Sequence, residues 1–330
     1  MSAARMARRV LVALIATGGV MLLSACENRA LPSSTVAVSS ARSGVLPRFM
    51  RLPRFGRVVR DDRKPGSRGV NDLLVDDFGT DKVEILKNNS WKEIAEISDG
   101  IAGPDGNYVD ANGNFYVANY LGPNITEYKP KTTQPSFTYK NAMTDPVGVS
   151  ADAGGNVYEA DYNGGFVGEY AQGVDSVVAA CFPGGQVEGV AIDRSNDVFV
   201  AYNRKNDARI IEYMGGLTGC SGKLLGAKLE YAGGLAIDKD GNLIVCDQAT
   251  STVDVIPPPY QRVSKTLGSG FEDPFHVTLN RSNTIVFVAD VAWGDVQVLD
   301  YPSGAGVAEL GPSNGISDAT SAVDGQNAVY

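Results

Sequence analysis

The sequence predicts an all-β fold, because one short sheet motif recurs along most of the chain. The motif is clearest from Asp145 to Asp161, where two runs of β-forming residues flank a turn at Gly154 and Gly155. Its copies align on an aspartate or asparagine that ends the first strand, and successive copies are 41 to 45 residues apart: Asp110, Asp152, Asp193, Asp238 and Asn280. A repeat of this length indicates an architecture of stacked structural units.

Each period contains three regular strands and a less regular fourth strand. The second strands are predicted at residues 115–119, 157–161, 198–202, 243–247 and 286–290, and the third strands at residues 125–128, 167–170, 210–213, 253–256 and 296–299. A lone four-stranded sheet cannot bury both of its faces, so it must pack against copies of itself. The sequence therefore predicts a β-propeller of four-stranded blades over residues 71–330.

The two ends of the repeat region each supply part of one blade. Leu73 to Asp77 match a second strand, and residues 82–86 and 91–97 match a third and a fourth, but no first strand precedes them. Asp318 to Asp324 keep the spacing of a first strand. Sharing one blade between the ends predicts a closed six-bladed ring without exposed sheet edges. Residues 327–330 look like the start of another second strand, which leaves a seven-bladed ring as the alternative.

The repeat resembles the NHL-repeat family of propellers. The unit of that family runs Pro-x-Gly-hydrophobic-Ala-hydrophobic-Asp, then a glycine turn, then hydrophobic-Tyr-Val-Ala-Asp, and residues 146–161 follow this pattern. The resemblance covers about residues 71–330. It implies the propeller fold and does not imply an activity.

The N-terminus has the order of a secretory signal. Arg5, Arg8 and Arg9 precede an apolar run from Val10 to Leu23, which favours a signal peptide over a spanning helix. The following Leu-Ser-Ala-Cys at residues 23–26 resembles the bacterial lipobox. This resemblance implies that residues 1–25 are removed and that Cys26 carries lipid. The alternative is an ordinary signal peptide followed by an incidental cysteine.

Lipid on Cys26 would attach the domain to a membrane, since each buried methylene contributes roughly 0.8 kcal/mol. Glu27 differs from the aspartate that resembles an inner-membrane retention signal. We therefore expect an exported protein of the bacterial cell envelope, anchored in the outer membrane where the organism has one.

Residues 26–70 contain no repeat and are rich in proline, serine and arginine, which predicts a tether. They contain ten Lys and Arg against three Asp and Glu, whereas residues 71–330 contain 16 against 35. A basic tether on an acidic domain favours either self-association or separate partners. The acidic domain also argues against nucleic acid as a partner, because binding to phosphates needs a basic surface.

Within the tether, arginine recurs at every third position between Pro47 and Arg60. A second stripe at the same interval is apolar, and a period of three matches polyproline II geometry. The sequence predicts a recognition strip for the acidic propeller or for anionic lipid headgroups. The alternative is a solvated basic tether. The basic strip consists of Arg48, Arg51, Arg54, Arg57 and Arg60, and the apolar stripe of Phe49, Leu52, Phe55 and Val58.

Export places the remaining cysteines in an oxidising compartment. Cys181 is predicted near the end of one fourth strand, and Cys220 near the start of the fourth strand of the next blade. They are therefore a candidate disulfide, with two separate buried thiols as the alternative. Cys246 is predicted in a second strand as a small core residue.

Candidate chemistry is expected on the propeller axis, where the first strands converge. Four residues before the marker position, four blades have glycine, at 106, 148, 189 and 234, whereas the last full blade has His276 and the closing strand has Thr320. His276 is the only histidine of the chain, and Asp105 and Glu188 occur one position earlier in other blades. Imidazole and carboxylates suit acid–base or metal chemistry. The alternative is a polar channel without chemistry, since adjacent strand residues point in opposite directions.

A further set of aspartates follows the second strands. We expect them to cap backbone N–H groups of the following turn. Because carboxylates are the ligands that calcium prefers, binding of Ca²⁺ or another divalent cation by a subset of them is the alternative, and no other cofactor is expected. The set consists of Asp77, Asp161, Asp247 and Asp290.

No nucleotide-binding loop and no Cys-x-x-Cys pair occurs in the sequence. The sequence therefore favours a non-catalytic, lipid-tethered binding or scaffold protein whose ligand is a protein, a peptide or a glycan. The alternative is a metal-dependent hydrolase or lyase that resembles the propeller lactonases and amidating lyases, with a divalent metal in the central channel.

Overall fold

The computed structural model describes residues 71–88, 90–205 and 207–325. These residues form six antiparallel sheets of four strands each, which confirms the predicted β-propeller. Blade 1 contains β24 (Ala319–Asp324), β1 (Leu73–Asp77), β2 (Lys82–Leu86) and β3 (Glu93–Ile97). Blade 2 contains β4 (Pro104–Val109), β5 (Phe115–Asn119), β6 (Asn124–Tyr128) and β7 (Phe137–Tyr139), and blade 3 contains β8 (Pro146–Ala151), β9 (Val157–Asp161), β10 (Phe166–Tyr170) and β11 (Val177–Cys181).

Blades 4 to 6 repeat this order. Blade 4 contains β12 (Gln186–Ile192), β13 (Val198–Arg204), β14 (Asp207–Tyr213) and β15 (Gly222–Leu224). Blade 5 contains β16 (Ala232–Ile237), β17 (Leu243–Asp247), β18 (Thr252–Ile256) and β19 (Lys265–Leu267), and blade 6 contains β20 (Pro274–Leu279), β21 (Ile285–Asp290), β22 (Asp295–Asp300) and β23 (Gly306–Leu310). The described residues also contain two short 3-10 helices, at Thr218–Cys220 and Pro312–Asn314. None of the helices in the described ranges is long and apolar enough to cross a membrane.

Blade 1 is shared between the two ends of the domain, as the sequence predicts. β24 pairs with β1 in antiparallel register, with Asp324 opposite Leu73 and Val323 opposite Leu74. The first strands of neighbouring blades contact one another around the ring, and β24 contacts both β20 and β4. The ring therefore closes with six blades, and the seven-bladed alternative is wrong.

A hydrophobic cluster fills each of the six interfaces between neighbouring blades. Between blades 1 and 6, for example, Leu73 and Trp91 pack with Phe287 and Leu310. The other five clusters join blades 1 and 2, 2 and 3, 3 and 4, 4 and 5, and 5 and 6. Neighbouring blades cover both faces of each sheet near the axis. Inner strands such as β1 are therefore buried along their whole length. Burial of apolar surface on both faces, at roughly 25 cal/mol per Å², is the main stabilising contribution.

The marker aspartates shape the turn between the first and second strands. Asp110 accepts hydrogen bonds from the backbone N–H groups of Asn112 and Asn114, both at 2.8 Å. Asp152, Asp193 and Asp238 accept equivalent bonds two and four residues ahead. An aspartate that bonds the backbone two residues on stabilises a tight turn, which explains its recurrence at this position.

The segments predicted as signal peptide (residues 1–25) and tether (residues 26–70) lie outside the described residues. Cys26 and the basic strip fall within them. Their lipidation and recognition roles therefore stay predictions.

The closing strand carries a direct test of the ring. Deleting residues 317–330 removes β24, exposes the edge of β1 and opens the clusters on both sides of blade 1. We expect the melting temperature, measured by circular dichroism, to fall by about 10 °C or more. Deletion of residues 326–330 is the control, because it leaves β24 intact. Equal melting of the two variants would contradict closure by β24.

Candidate functional site

The first strands leave little space around the propeller axis. An ideal Cβ atom added to Gly106 would lie 2.4 Å from the carbonyl oxygen of Val147, and one added to Gly234 would lie 2.5 Å from His276 Nδ1. Glycine occurs inside strands where another backbone approaches closely. The repeated glycines therefore allow the first strands to converge.

His276 closes the channel at the level of these glycines. Its side chain is only 8% exposed, and its Nε2 atom lies 2.9 Å from the carbonyl oxygen of Val147. A carbonyl oxygen only accepts hydrogen bonds, so Nε2 carries the hydrogen in this contact. His276 belongs to blade 6 and Val147 to blade 3, which is three blades away in a ring of six. The hydrogen bond therefore spans the axis.

A cavity of about 220 Å³ adjoins His276 and is lined by first-strand residues of all six blades. Its polar lining includes Asn107, Ser150 and Thr278, and Arg281 and Asn283 also line it. Ligand pockets for drug-sized molecules usually exceed roughly 300 Å³. The channel thus has space for a few water molecules or a small ligand.

Asp105 and Glu188, the other predicted channel residues, are both fully buried. Glu188 Oε1 accepts a 2.7 Å hydrogen bond from the Tyr231 hydroxyl. Asp105 lies near Asp76, whose pKa is raised by burial and by the charge of Asp105, although a hydrogen bond from Asn107 opposes the rise.

The structure does not gather His276, Asp105 and Glu188 into one metal-ligand group. They belong to blades 6, 2 and 4 respectively. Within the described ranges, one group of three acidic, histidine or cysteine side chains has ligand atoms that all lie within 4.8 Å of one another. That group contains none of the three predicted residues.

The aspartates after the second strands bind the segment that leads into the first strand of their own blade. Asp247 accepts hydrogen bonds from the backbone N–H groups of Glu230 and Tyr231. Equivalent bonds reach Asp77 from residues 317 and 318, Asp161 from residues 144 and 145, and Asp290 from residues 272 and 273. The predicted capping of the following turn also occurs at Gly79 and Gly164. The prediction therefore missed the main partner of this set. Their oxygens are occupied by N–H donors, and each residue lies in a different blade.

One segment matches the sequence of a catalytic motif but lacks the structure that the motif requires. Gly311 to Gly315 read Gly-x-Ser-x-Gly, the pattern of the nucleophile elbow. The elbow requires a turn from a strand into an α-helix, whereas Ser313 lies in an exposed 3-10 helix before β24. Its hydroxyl contacts Asn314 Oδ1 at 3.2 Å.

A disulfide joins the outer strand of blade 3 to the 3-10 helix that precedes the outer strand of blade 4. The structure bonds Cys181 to Cys220, the pair that the sequence suggested, with the two Cα atoms 5.4 Å apart. Cys181 ends β11, and Cys220 precedes β15. Closing a loop of 39 residues restricts the unfolded chain, which stabilises a protein by about 3 to 4 kcal/mol in the chain-entropy account.

Five large apolar side chains of blades 3 and 4, the two blades that the disulfide joins, are exposed, and we call them the outer apolar patch. They belong to the outer strands of blades 3 and 4 and to the turns beside them. Phe182 is 70% exposed and directly follows Cys181. Elsewhere in the described ranges, Ile94 of blade 1 is the one large apolar residue with comparable exposure. The patch consists of Val174, Val178, Phe182, Met214 and Leu224.

The sequence contained a weak signal for this patch. β11 reads Val-Val-Ala-Ala-Cys and lacks the polar alternate positions expected of an outer strand with one solvated face.

Comparison with known proteins supports the fold. No protein-family model matches the chain, and no curated protein matches it. A propeller chain in a crystal structure of a nidogen/laminin complex matches with a TM-score of 0.64 and 18% sequence identity. The match covers 76% of this chain and 97% of that chain. The chain is therefore a six-bladed β-propeller of the same general architecture.

Glu159, in the second strand of blade 3, is a buried carboxyl group with an unusual partner. The Tyr170 hydroxyl oxygen lies 2.7 Å from both Glu159 Oε1 and the carbonyl oxygen of Asn141. The hydroxyl has one hydrogen and can donate to one of these oxygens only. A protonated Glu159 resolves the conflict by donating to the tyrosine oxygen. Burial, together with the charge of Asp161, raises the pKa of Glu159 to about 8.

This raised pKa predicts a pH dependence of stability. The folded state holds the Glu159 proton up to about pH 8, whereas the unfolded state releases it near pH 4.5, so stability falls as the pH rises through this window. Glu159→Gln keeps a donor for Tyr170 and removes the titration. We expect the variant to exceed the wild type by about 2 kcal/mol or more in unfolding free energy at pH 9, and to match it near pH 5, in urea titrations. An equal pH profile for both proteins would refute the assignment.

The contact of His276 predicts a modest effect of its removal. His276→Gly deletes one hydrogen bond and the contact with the Phe275 ring, and it places at this position the residue that four other blades have. We expect a folded protein that is less stable by about 1 to 3 kcal/mol in urea unfolding. His276→Gln, which retains a donor, is the control and should lose less. Loss of the fold in both variants would show that the imidazole is an essential core group.

Proposed function

We propose that this protein is a lipid-anchored envelope propeller that binds a partner protein or peptide through the outer apolar patch. The observation that carries the proposal is the concentration of exposed apolar side chains on two adjacent blades. Five of the six large exposed apolar residues of the described ranges lie on blades 3 and 4. Clustered exposed apolar surface with a polar rim is typical of protein interaction sites, whereas isolated apolar residues are common on any surface.

The patch has the chemistry of an interface core. Phe182 and Met214 are the two most exposed residues of the patch. Phenylalanine and methionine are both enriched at protein interfaces. Beside Phe182, the Arg204 guanidinium donates to the carbonyl oxygens of Pro183 and Gly184, which holds a cation at the rim. The disulfide ties the end of β11 to the segment before β15, and such a constraint lowers the conformational entropy that binding would cost.

The edge strand of blade 4 offers a backbone as well as side chains. β15 has only three residues, all of them exposed, and pairs with residues 211–213 of β14. Residues 225–229 cover the first half of β14, through the bond from the Leu225 N–H to the Ile210 carbonyl oxygen and the bridge between Ala208 and Leu229, so the outer edge of this sheet is that of β15. A partner segment in extended conformation can pair with such an edge while its apolar side chains contact Phe182 and Leu224.

A protein or peptide fits this surface better than a glycan does. Sugar rings stack on exposed aromatic side chains, and Phe182 is the one aromatic residue among the large exposed apolar residues of the described ranges. The nidogen/laminin structure shows a propeller of this architecture in a protein complex. The acidic charge of residues 71–330 disfavours nucleic acid.

The envelope location rests on the N-terminal sequence. The charged and apolar signal, the lipobox-like residues 23–26 and Cys26 as the lipid carrier support an anchor in the outer membrane. The residue pattern of the repeat, clearest at residues 146–161, supports membership of an NHL-like group of propellers. The basic strip from Arg48 to Arg60 would then lie between the anchor and the domain, where it can contact anionic headgroups.

The alternative is a metal-dependent hydrolase or lyase with its site in the channel. The cavity beside His276 is the place where such chemistry would occur. Metal analysis of the purified protein, followed by a lactone hydrolysis screen, tests this alternative. Stoichiometric metal together with turnover that His276→Gln abolishes would establish it.

Crosslinking in intact cells tests the binding proposal. A photo-crosslinking amino acid is placed at Phe182 or Val178 of the full chain, and at Ile94 as the matched exposed control. We expect one discrete adduct with another protein from the patch positions and none from Ile94. Met214→Asp should reduce the adduct formed at Val178 at least several-fold, because a charge opposes burial.

The same cells report the anchor. We expect the adducts in the outer-membrane fraction, and Cys26→Ser should release both the protein and its adducts into the soluble fraction. Equal adducts from all three positions would refute the patch, whereas unchanged membrane association of Cys26→Ser would refute the lipid anchor.

A further inference from the structure

Blade 1 contains a group of three glutamates that neither the fold nor the proposed binding surface uses. Glu84 lies in β2, and Glu93 and Glu96 lie in β3. One carboxylate oxygen of each lies within 4.8 Å of one from each of the others. Glu84 and Glu96 are direct cross-strand neighbours, and a bulge between Ile85 and Leu86 brings Glu93 into the same group.

Glu84 differs from an ordinary surface acid. Its side chain is only 4% exposed, and within the described part of the chain its Oε2 atom has no hydrogen-bond partner. A buried carboxylate oxygen normally accepts a hydrogen bond or coordinates a cation, because the charge has lost its hydration. The Glu84 carboxylate that carries this oxygen is the one that lies within 4.8 Å of the other two glutamates.

The same strand position in other blades shows how this burial is normally compensated. Asp254, the third residue of β18, is the counterpart of Glu84, and its Oδ1 accepts a 2.8 Å hydrogen bond from Thr266, its neighbour on the outer strand. In blade 6 the position is Gln297, an amide that can donate, opposite Glu309. Only in blade 1 does the register of the described sheets place a carboxylate here opposite a second carboxylate.

Within the described residues, the negative charges of this group are not balanced. Lys82 Nζ lies 2.5 Å from Glu96 Oε2 and is the cation that contacts the group in the part of the chain that the structure describes. One ammonium beside three carboxylates leaves two negative charges, and Asp77 adds further negative potential. Burial and then the charges of Glu93, Asp77 and Glu96 raise the pKa of Glu84 to about 7.

We propose that Glu84, Glu93 and Glu96 bind a hard divalent cation, with calcium as the best fit. Calcium binds carboxylate oxygens at about 2.4 Å, so two ligand atoms on one ion lie at most about 4.8 Å apart. The three carboxylates meet this limit and supply up to six oxygens if each is bidentate. The absence of histidine, cysteine and methionine from the group disfavours softer metals.

Such an ion would brace the blade that closes the ring. Glu93 lies beside Gly315, since an ideal Cβ on Gly315 would be 2.5 Å from Glu93 Oε2. Gly315 belongs to the segment that leads into β24, and the Asn314 side chain donates to the Trp91 carbonyl oxygen. A cation that binds the folded state only would therefore stabilise the junction of the two chain ends.

Calorimetric titration of the chelator-treated full chain with calcium chloride tests the site. We expect one calcium ion per chain, bound at least about tenfold more tightly than magnesium, which tolerates irregular carboxylate geometry poorly. Glu84→Gln and Glu96→Gln should each weaken calcium binding at least about tenfold, because each removes a charged ligand. Asp254→Asn is the matched control and should bind calcium as the wild type does.

Thermal melting separates a lost ligand from a lost fold. In calcium-free buffer Glu84→Gln should melt at the wild-type temperature or above it, since one repelling charge is removed. Calcium should then raise the melting temperature of the wild type and of Asp254→Asn, and leave Glu84→Gln and Glu96→Gln unchanged. Absence of calcium binding by the wild type at about 5 mM, or equal binding by both glutamate variants, would overturn the proposal; this range covers the weakest calcium modules, at about 1 mM.

Discussion

The convergence of six first strands on one axis is the constraint on which the rest of the structure depends. Each sheet must approach its neighbours closely enough to bury both faces, and at the axis this leaves no room for Cβ atoms at Gly106 and Gly234. The one imidazole in the ring of glycines bridges the channel to Val147. The channel, where the sequence placed candidate chemistry, is therefore tightly packed at the level of His276, beside a cavity of about 220 Å³.

Outside the hydrophobic clusters, buried carboxylates hold many of the turns and strand ends. The groups that contact each carboxylate differ from one blade position to another. Asp110 and Asp247 accept two backbone hydrogen bonds each, so their charge is compensated within their own blade. Glu159 lies against a tyrosine hydroxyl and has a raised pKa, whereas Glu84 lies beside two other carboxylates.

The outside of the ring carries the features that distinguish one blade from another. Inner strands must satisfy the same packing in every blade, so their residues repeat. Outer strands face solvent and are free to vary, and blades 3 and 4 use this freedom for Phe182, Met214 and the Cys181–Cys220 disulfide. Recognition by a propeller of this kind is consequently expected at its variable edge rather than at its repeated centre.

The sequence by itself determined the blade period, the turns at the marker aspartates and the candidate closing strand at residues 318–324, because each depends on strands that are close in sequence or equivalent by repetition, whereas the structure decided between six and seven blades. It also made Cys181 and Cys220 a candidate pair, and the structure shows the disulfide between them. Only the tertiary structure decided that His276 reaches the opposite blade, that Asp247 holds the segment before its own first strand, and that Glu84 meets Glu93 through a bulge. These contacts depend on ring geometry and on local register shifts, which a repeat pattern does not encode.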